Sequence, residues 1–292
     1  MASAELRRIQ RRIKSVQSTM KITRAMELIA ASRIVRAQSR VAAAQPYTRK
    51  MNEVIRNVAA ASGGASHPLL EARPAGTVGA LVVSSDRGLA GAYNTNVLRL
   101  AEGRLIDLKG AGRDLRIYVV GKKAAAYFRY RGYIVQQTFL GVTDAPGYGD
   151  ARGIANVLMN DFAEGTVDSV EVFTTRYQSA LTQTASTWNL LPIEPPAGGD
   201  DAAGPVGYTY EPSADAILGR LLPRYVEGAV FGILLEASAS EHAARRRAMK
   251  AATENAEELT RVLSRQANQA RQAEITTEIS EIVGGAEALT RG

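Results

Sequence analysis

Few residues in this sequence have the type and spacing that chemistry requires. Between the apolar run Val78 to Val83 and a later helical pattern lies Ser84-Ser85-Asp86-Arg87-Gly88-Leu89-Ala90-Gly91-Ala92-Tyr93-Asn94. A glycine-bearing loop that follows a strand is where α/β folds hold nucleotides and phosphates. Its glycines do not fall in the order G-x-G-x-x-G, and the P-loop lysine is missing. The spacing therefore favours a tight turn whose glycines permit unusual backbone angles and close packing. Asp86 and Arg87 are expected either to pair with each other or to cap a helix. Glu241 precedes His242, but no second histidine follows at helical spacing, so a metal-binding pair on one helix face is not supported. With two histidines and no cysteine in 292 residues, thiol catalysis, thiolate metal sites and a histidine-rich centre are excluded. No serine sits in a G-x-S-x-G elbow. Arg245, Arg246, Arg247 and Lys250 read as a solvated charged face. The chain carries no recognisable catalytic constellation, and no cofactor is expected.

The elements around these residues are more informative. Val78 to Val83 suits a strand buried on both faces. Val97, Leu98, Leu100, Leu105 and Ile106 suggest a helix, Leu115 to Val120 a second strand, and Gly121 opens a helix that holds Lys122, Lys123, Ala126 and Phe128. A third strand is expected over Tyr133 to Phe139, a helix over Ile154 to Phe162, and strands over Val167 to Arg176 and Ala180 to Leu190. This alternation predicts an α/β sandwich with a mostly parallel sheet and an antiparallel hairpin at one edge. Pro192 to Gly207, rich in Pro, Gly and Asp, reads as a loop.

Both ends of the chain have a different pattern. Leu6, Ile9, Ile13, Val16 and Met20 step by three and four; after a register shift, Ile22, Met26 and Ile29 or Ala30 continue toward Ile34. The pattern passes Pro46 and ends at Gly63 and Gly64. From Ser213 or Asp215 near its start, a second helix is expected to reach Leu289, with a kink or break at Pro223. Its stripe runs through Ala252, Ala256, Leu259 and Leu263, lapses over Arg265 to Glu274, and resumes at Ile275, Ile279, Ile282, Ala286 and Leu289. Two one-sided apolar helices need a cover. They are expected to pair as a long antiparallel coiled coil, residues 1–62 with 212–292, around an inserted Rossmann-like α/β domain at 63–211.

The formal charge of +7 is concentrated in the first helix, where Arg7, Arg8, Arg11, Arg12, Lys14, Lys21, Arg24, Arg33, Arg36 and Arg40 face only Glu5 and Glu27. An acidic partner is expected. Nucleic acid is the weaker reading, because the cations interleave with a full apolar seam and no aromatic residue stands among them for base stacking. The first residues contain no apolar signal region, and no apolar run is long enough to span a membrane, so a soluble or peripheral chain made in the cytoplasm is expected.

Four stretches together resemble the gamma subunit of the F-type ATP synthase, the central rotor stalk. The C-terminal Ile275-Thr276-Thr277-Glu278-Ile279-Ser280-Glu281-Ile282-Val283-Gly284-Gly285-Ala286-Glu287-Ala288 resembles the family signature, and Arg12 to Ser32 is similar to the family's opening helix. Ser85 to Leu89 resembles the family loop, with Ala90 and Ala92 in place of a common cysteine and glycine. Ser240 to Thr253 is similar to the long-helix motif.

The resemblance implies a non-catalytic rotor that couples proton-driven c-ring rotation to ATP synthesis or hydrolysis in a hexamer of alpha and beta subunits. It implies partners in alpha, beta, epsilon and the c-ring, and a peripheral place on the cytoplasmic side of the cell membrane. By residue, Lys21, Arg24, Met26, Arg245, Arg271, Gln272, Thr276 and Glu278 are expected to contact beta subunits. Ile279, Ile282, Val283 and Leu289 would turn in an apolar bearing, and Tyr208 and Glu211 would face the c-ring and epsilon side. The lack of cysteine and of a presequence favours the bacterial version over the thiol-switched chloroplast one or an unprocessed mitochondrial one. The rival reading is a small-ligand enzyme built on the central α/β domain.

Overall fold

The computed structural model describes residues 2–61, 67–74, 76–194 and 213–290. In chain order the elements are α1 (Ala2–Ala61), β1 (Thr77–Val83), α2 (Tyr93–Gly110), β2 (Asp114–Val120), α3 (Lys122–Tyr130), β3 (Val135–Phe139), α4 (Tyr148–Ala163), β4 (Ser169–Tyr177), β5 (Gln183–Leu191) and α5 (Ala214–Thr290), with a short 3₁₀ turn at Pro68–Leu70. The residues group into two units, one of Met1–Ala30 with Arg246–Gly292 and one of Ala31–Arg245.

In the Ala31–Arg245 unit, the apolar run of β1 lies at the centre of a five-stranded sheet of order β3-β2-β1-β4-β5. Strands β3, β2, β1 and β4 pair in parallel, and β5 closes one edge antiparallel to β4. Period-two alternation sends Ala80 and Val82 to one face, where they pack with Val97, Leu105 and Phe128 of α2 and α3. Leu81 and Val83 point to the other face, against Ile154, Leu158 and Phe162 of α4, Leu222 and Val226 of α5, and Ile55 of α1. Both faces are covered, which is why a parallel sheet tolerates a continuous apolar strand. This is the expected α/β core with its edge hairpin.

Pro223 neither ends nor splits α5, so of the expected kink or break the break does not occur. A proline inside a helix costs about 3 kcal/mol through a lost hydrogen bond and ring crowding. Leu218, Leu222, Val226 and Val230 are all buried around it. Each contributes about 1.5–3 kcal/mol on burial, enough to keep the turn helical. The helix starts where the sequence suggested, with Ser213 Oγ accepting from Ala216 N at 3.2 Å.

In the unit of Met1–Ala30 with Arg246–Gly292, the two helical segments lie antiparallel. Thr23 meets Thr253, Arg24 meets Glu257, and Ile9 and Arg12 share a groove with Leu263 and Gln266. The stripe on α1 runs Leu6, Ile9, Ile13, Val16, Met20, Thr23, Ala30 without a register shift. Ile22, expected in the stripe, is 58% exposed, and Thr23 takes its place. On α5 the stripe is Met249, Thr253, Ala256, Thr260, Leu263, Ala267 and Ala270, so it does not lapse after Arg265 as expected. Leu259 lies on its edge at 37% exposed. The expected pattern counted apolar residues, whereas the pair is lined in part by threonine and alanine. Small seam residues let two backbones approach, and a threonine hydroxyl can satisfy itself on its own helix.

Candidate functional site

The loop after β1 closes on itself. Ser84 Oγ donates to Val120 O and accepts from Ala124 N, both at 2.9 Å, which ties the end of β2 to the first turn of α3. The Asp86 carboxylate accepts from Lys122 N at 3.1 Å, Gly141 N at 3.0 Å and Thr143 Oγ1 at 3.1 Å. Asp86 is thus a cap, as one of the two expected readings held, although the helix it caps is α3. A carboxylate at a helix N-terminus supplies the negative charge that a phosphate would otherwise bring. Gly121 makes this approach possible: its φ is +93°, and a Cβ there would lie 2.8 Å from Ser84 O.

Charged side chains brace the same loop. Arg87 reaches Asp144 at 3.6 Å rather than Asp86. Asp144 also receives both ends of a close contact from Arg33 Nη1, at 2.6 and 2.7 Å. His242 Nε2 lies 3.3 Å from the Asp144 carbonyl, and Ser238 Oγ donates to that carbonyl at 3.2 Å. Arg245 forms a buried ion pair with Glu241 at 2.5 Å, and its Nη2 donates to Gly88 O at 3.2 Å. Burial pushes the Glu241 carboxyl up against the lowering pull of Arg245, and it holds the His242 imidazole down in its neutral form. These groups are committed to one another. What they can do is fix the loop to α5, and they leave no acid or base directed at an open cleft.

Arg245 therefore differs from its expected place. It is buried inside the Ala31–Arg245 unit, braced between Glu241 and the loop, and its guanidinium is not presented outward. Sequence spacing gave no signal for this, because Gly88 is 157 residues away.

The other singled-out residues sit on exposed helix surface. Lys21 and Arg24 are exposed, and Arg24 forms a loose 3.6 Å pair with Glu257; Met26 is half-buried. Arg7, Arg8, Arg11, Arg12 and Lys14 are exposed with them, which leaves a basic face along α1. Arg271, Gln272, Thr276 and Glu278 are exposed on α5, where Thr276 Oγ1 folds back onto Gln272 O at 2.9 Å. Beyond Ala273, α1 has no residues left to pair, and Ile275, Ile279, Ile282 and Val283 are 47, 56, 72 and 57% exposed. The structure groups these four along one end of one helix. Leu289 belongs to α5 but its side chain lies outside the described residues, as do Tyr208 and Glu211. Among the described residues, no helix is long and apolar enough to cross a membrane.

A family model described as "ATP synthase" matches residues 5–289. The ATP synthase gamma chain of Parafrankia sp. (strain EAN1pec) is 50% identical over 303 residues, covering 99% of each chain. That of Frankia casuarinae is 49% identical over 302 residues, again covering 99% of each. Among solved structures, a chain of the Euglena gracilis mitochondrial ATP synthase, in a structure of its OSCP/F1/c-ring part, aligns with a TM-score of 0.70 at 19% identity, covering 98% of this chain and 95% of that one. A chain of the Tetrahymena thermophila mitochondrial ATP synthase, from a structure of its central stalk and c-ring, aligns with a TM-score of 0.59 at 20% identity, covering 79% and 99%.

Proposed function

The chain belongs to the ATP synthase gamma-chain family, and on that premise we propose that its paired helices work as the central rotor of an F-type complex. It is a non-catalytic subunit: chemistry takes place elsewhere in the complex, and this chain transmits rotation. Ring rotation driven by protons turns the pair, and each beta subunit meets a different face in succession. A rotor can move a site between open and closed states only if its contacts with those states differ in free energy. A one-sided charge pattern supplies such a difference, and the basic face of α1 is the observation that carries this reading.

In this reading, Lys21, Arg24 and Met26, with Arg271, Gln272, Thr276 and Glu278, form the contacts to beta subunits. Ile279, Ile282 and Val283, together with Leu289, turn in an apolar sleeve formed by the alpha and beta subunits. Contacts of this kind are non-directional, so they stabilise the shaft without favouring one angle. Tyr208 and Glu211 are assigned to the epsilon and c-ring side, and the complex lies at the cytoplasmic face of the cell membrane. The segments 1–62 and 212–292 act as the shaft and 63–211 as the inserted domain. The rival small-ligand enzyme is not favoured, since the Asp86 carboxylate already fills the helix N-terminus that a phosphate would use.

The test is co-purification with alpha and beta subunits of a bacterial F-type ATP synthase, scoring ATPase turnover with and without this chain. One copy per three alpha and three beta subunits, with turnover that depends on the chain, is expected. A folded chain that neither assembles nor changes turnover would overturn the proposal.

A further inference from the structure

Within the Ala31–Arg245 unit, α1, α5 and the β4–β5 hairpin line a half-open cavity of about 230 Å³, room for on the order of ten non-hydrogen atoms. Its walls include Tyr47 from α1, Tyr225 from α5 and Trp188 from β5, three aromatic rings around one space. Its polar atoms are unusual. Thr174 is 2% exposed and its Oγ1 has no partner among the described residues; Asn52, half-buried in the wall, has an unpartnered Oδ1. Ser186, paired across the strands with Thr174 and on the same sheet face, has an unpartnered Oγ as well. Roughly nine in ten buried polar atoms find a partner, so two unpaired ones in the wall, Thr174 Oγ1 from β4 and Asn52 Oδ1 from α1, with Ser186 Oγ beside the first, mark a place that a ligand can satisfy. The wall also carries Gln45, Thr48, Arg49 and the half-buried Glu236 carboxylate, which accepts from Tyr177 N at 3.3 Å. The rim cation, Arg49, is turned to Gln45 at 3.4 Å.

The two hydroxyls can donate or accept, so the Glu236 carboxylate and the aromatic faces select the ligand. An anion would meet Glu236 and the Asn52 carbonyl oxygen, whereas an ammonium would meet a carboxylate and ring faces that attract cations. We propose that this cavity binds a small aromatic amine, its ring among Tyr47, Tyr225 and Trp188 and its N–H donors directed to Glu236, Asn52 and Thr174. The site is separate from the helix surfaces assigned to rotation, and it joins both long helices to the sheet of this unit.

Trp188 is the sole tryptophan of the chain, so its emission reports on the cavity wall directly. The full-length chain is titrated with 2-phenylethylamine, with 2-phenylethanol and with 3-phenylpropionate. A saturable change with the amine is expected, with the anion binding about tenfold more weakly or less. Absence of a saturable change with the amine, or equal binding of the anion, would overturn the proposal. Gly232→Leu supplies the control: Gly232 lines the cavity and an added Cβ there meets nothing within 4 Å. Replacing a helical glycine raises helix propensity, so the unfolding midpoint should hold or rise while the amine response disappears. A G232L variant that binds the amine with parent affinity places the ligand elsewhere and refutes the site. Glu236→Gln should weaken the amine about tenfold and leave 2-phenylethanol unchanged; equal loss of both would refute the charge assignment.

Discussion

Replacing Thr23 and Thr253 by valine, singly and together, measures what holds the helix pair in register. Their hydroxyls lie 2.8 Å apart across the seam. Thr23 Oγ1 also lies 3.0 Å from Met20 O, and Thr253 Oγ1 2.9 Å from Met249 O. Two hydroxyls have two protons for these three contacts, so the cross-helix link amounts to one neutral hydrogen bond, worth about 1 kcal/mol net. Either single valine removes that bond but leaves the remaining threonine satisfied on its own helix, so each should cost at most about 1 kcal/mol. The double variant leaves nothing polar in that layer and gains apolar contact. It should match the parent or exceed it, giving a coupling energy near 1 kcal/mol in a four-protein cycle. Valine and threonine have similar helix propensity, so propensity cancels. Urea unfolding of the full chain, followed by circular dichroism, reads the energies. A coupling below about 0.3 kcal/mol, or a double variant less stable than either single, would refute the reasoning.

Gly121→Ala should destabilise the sheet unit by at least about 2 kcal/mol, from the positive φ and the contact with Ser84 O, measured as a lowered urea midpoint. His67 accepts from Leu69 N through Nδ1 at 3.1 Å, and burial lowers its value below 6.5. Its contribution is therefore complete above pH 6.5 and is lost as pH falls through the lowered folded value. A His67→Asn variant, which keeps an acceptor and does not titrate, should gain on the parent as pH drops below 6.5 in paired thermal melts. Arg24→Ala should change the stability of the isolated chain by less than about 0.5 kcal/mol, because its pair with Glu257 is loose and exposed; ATPase turnover of the assembled complex should fall. Ile279→Ser with Ile282→Ser should leave the melting of the isolated chain unchanged and weaken its assembly with alpha and beta subunits about tenfold, read by co-purification yield.

The sheet was legible because β1 is a continuous apolar run and β2 ends in one, Ile117 to Val120, and their neighbours are set off by turn residues. The long helices were legible from Leu6, Ile9, Ile13 and Val16, whose spacing admits one period. Reading failed where the seam stopped being apolar. Thr23 lies beside Ile22, and a hydropathy pattern selects the isoleucine, whereas helix geometry continues the three-four stepping through the threonine. The alanines at 267 and 270 carry too little side chain to mark a stripe among glutamines and arginines. The roles of Asp86 and Arg245 rest on partners at Gly141 and Gly88 that lie 55 and 157 residues away, and no local pattern encodes such pairings. Spacing did identify the exposed isoleucines of α5, since their period persists where α1 has ended.

The Thr23–Thr253 contact joins residues 230 positions apart, which bears on how the chain is made. The sheet strands are complete at Leu191, so they can pair while α5 is still being synthesised. The stripe on the first thirty residues of α1 has no such neighbour. At translation rates of about 5–20 residues per second, it waits on the order of 10–50 s before Thr253 and Leu263 emerge. Over that interval an apolar and strongly basic helix face is open to the ribosome surface, to chaperones and to other nascent chains. The stepping of Leu6, Ile9, Ile13 and Val16 therefore leaves an uncovered stripe that is an aggregation hazard during synthesis, and a chain truncated before Met249 retains that hazard.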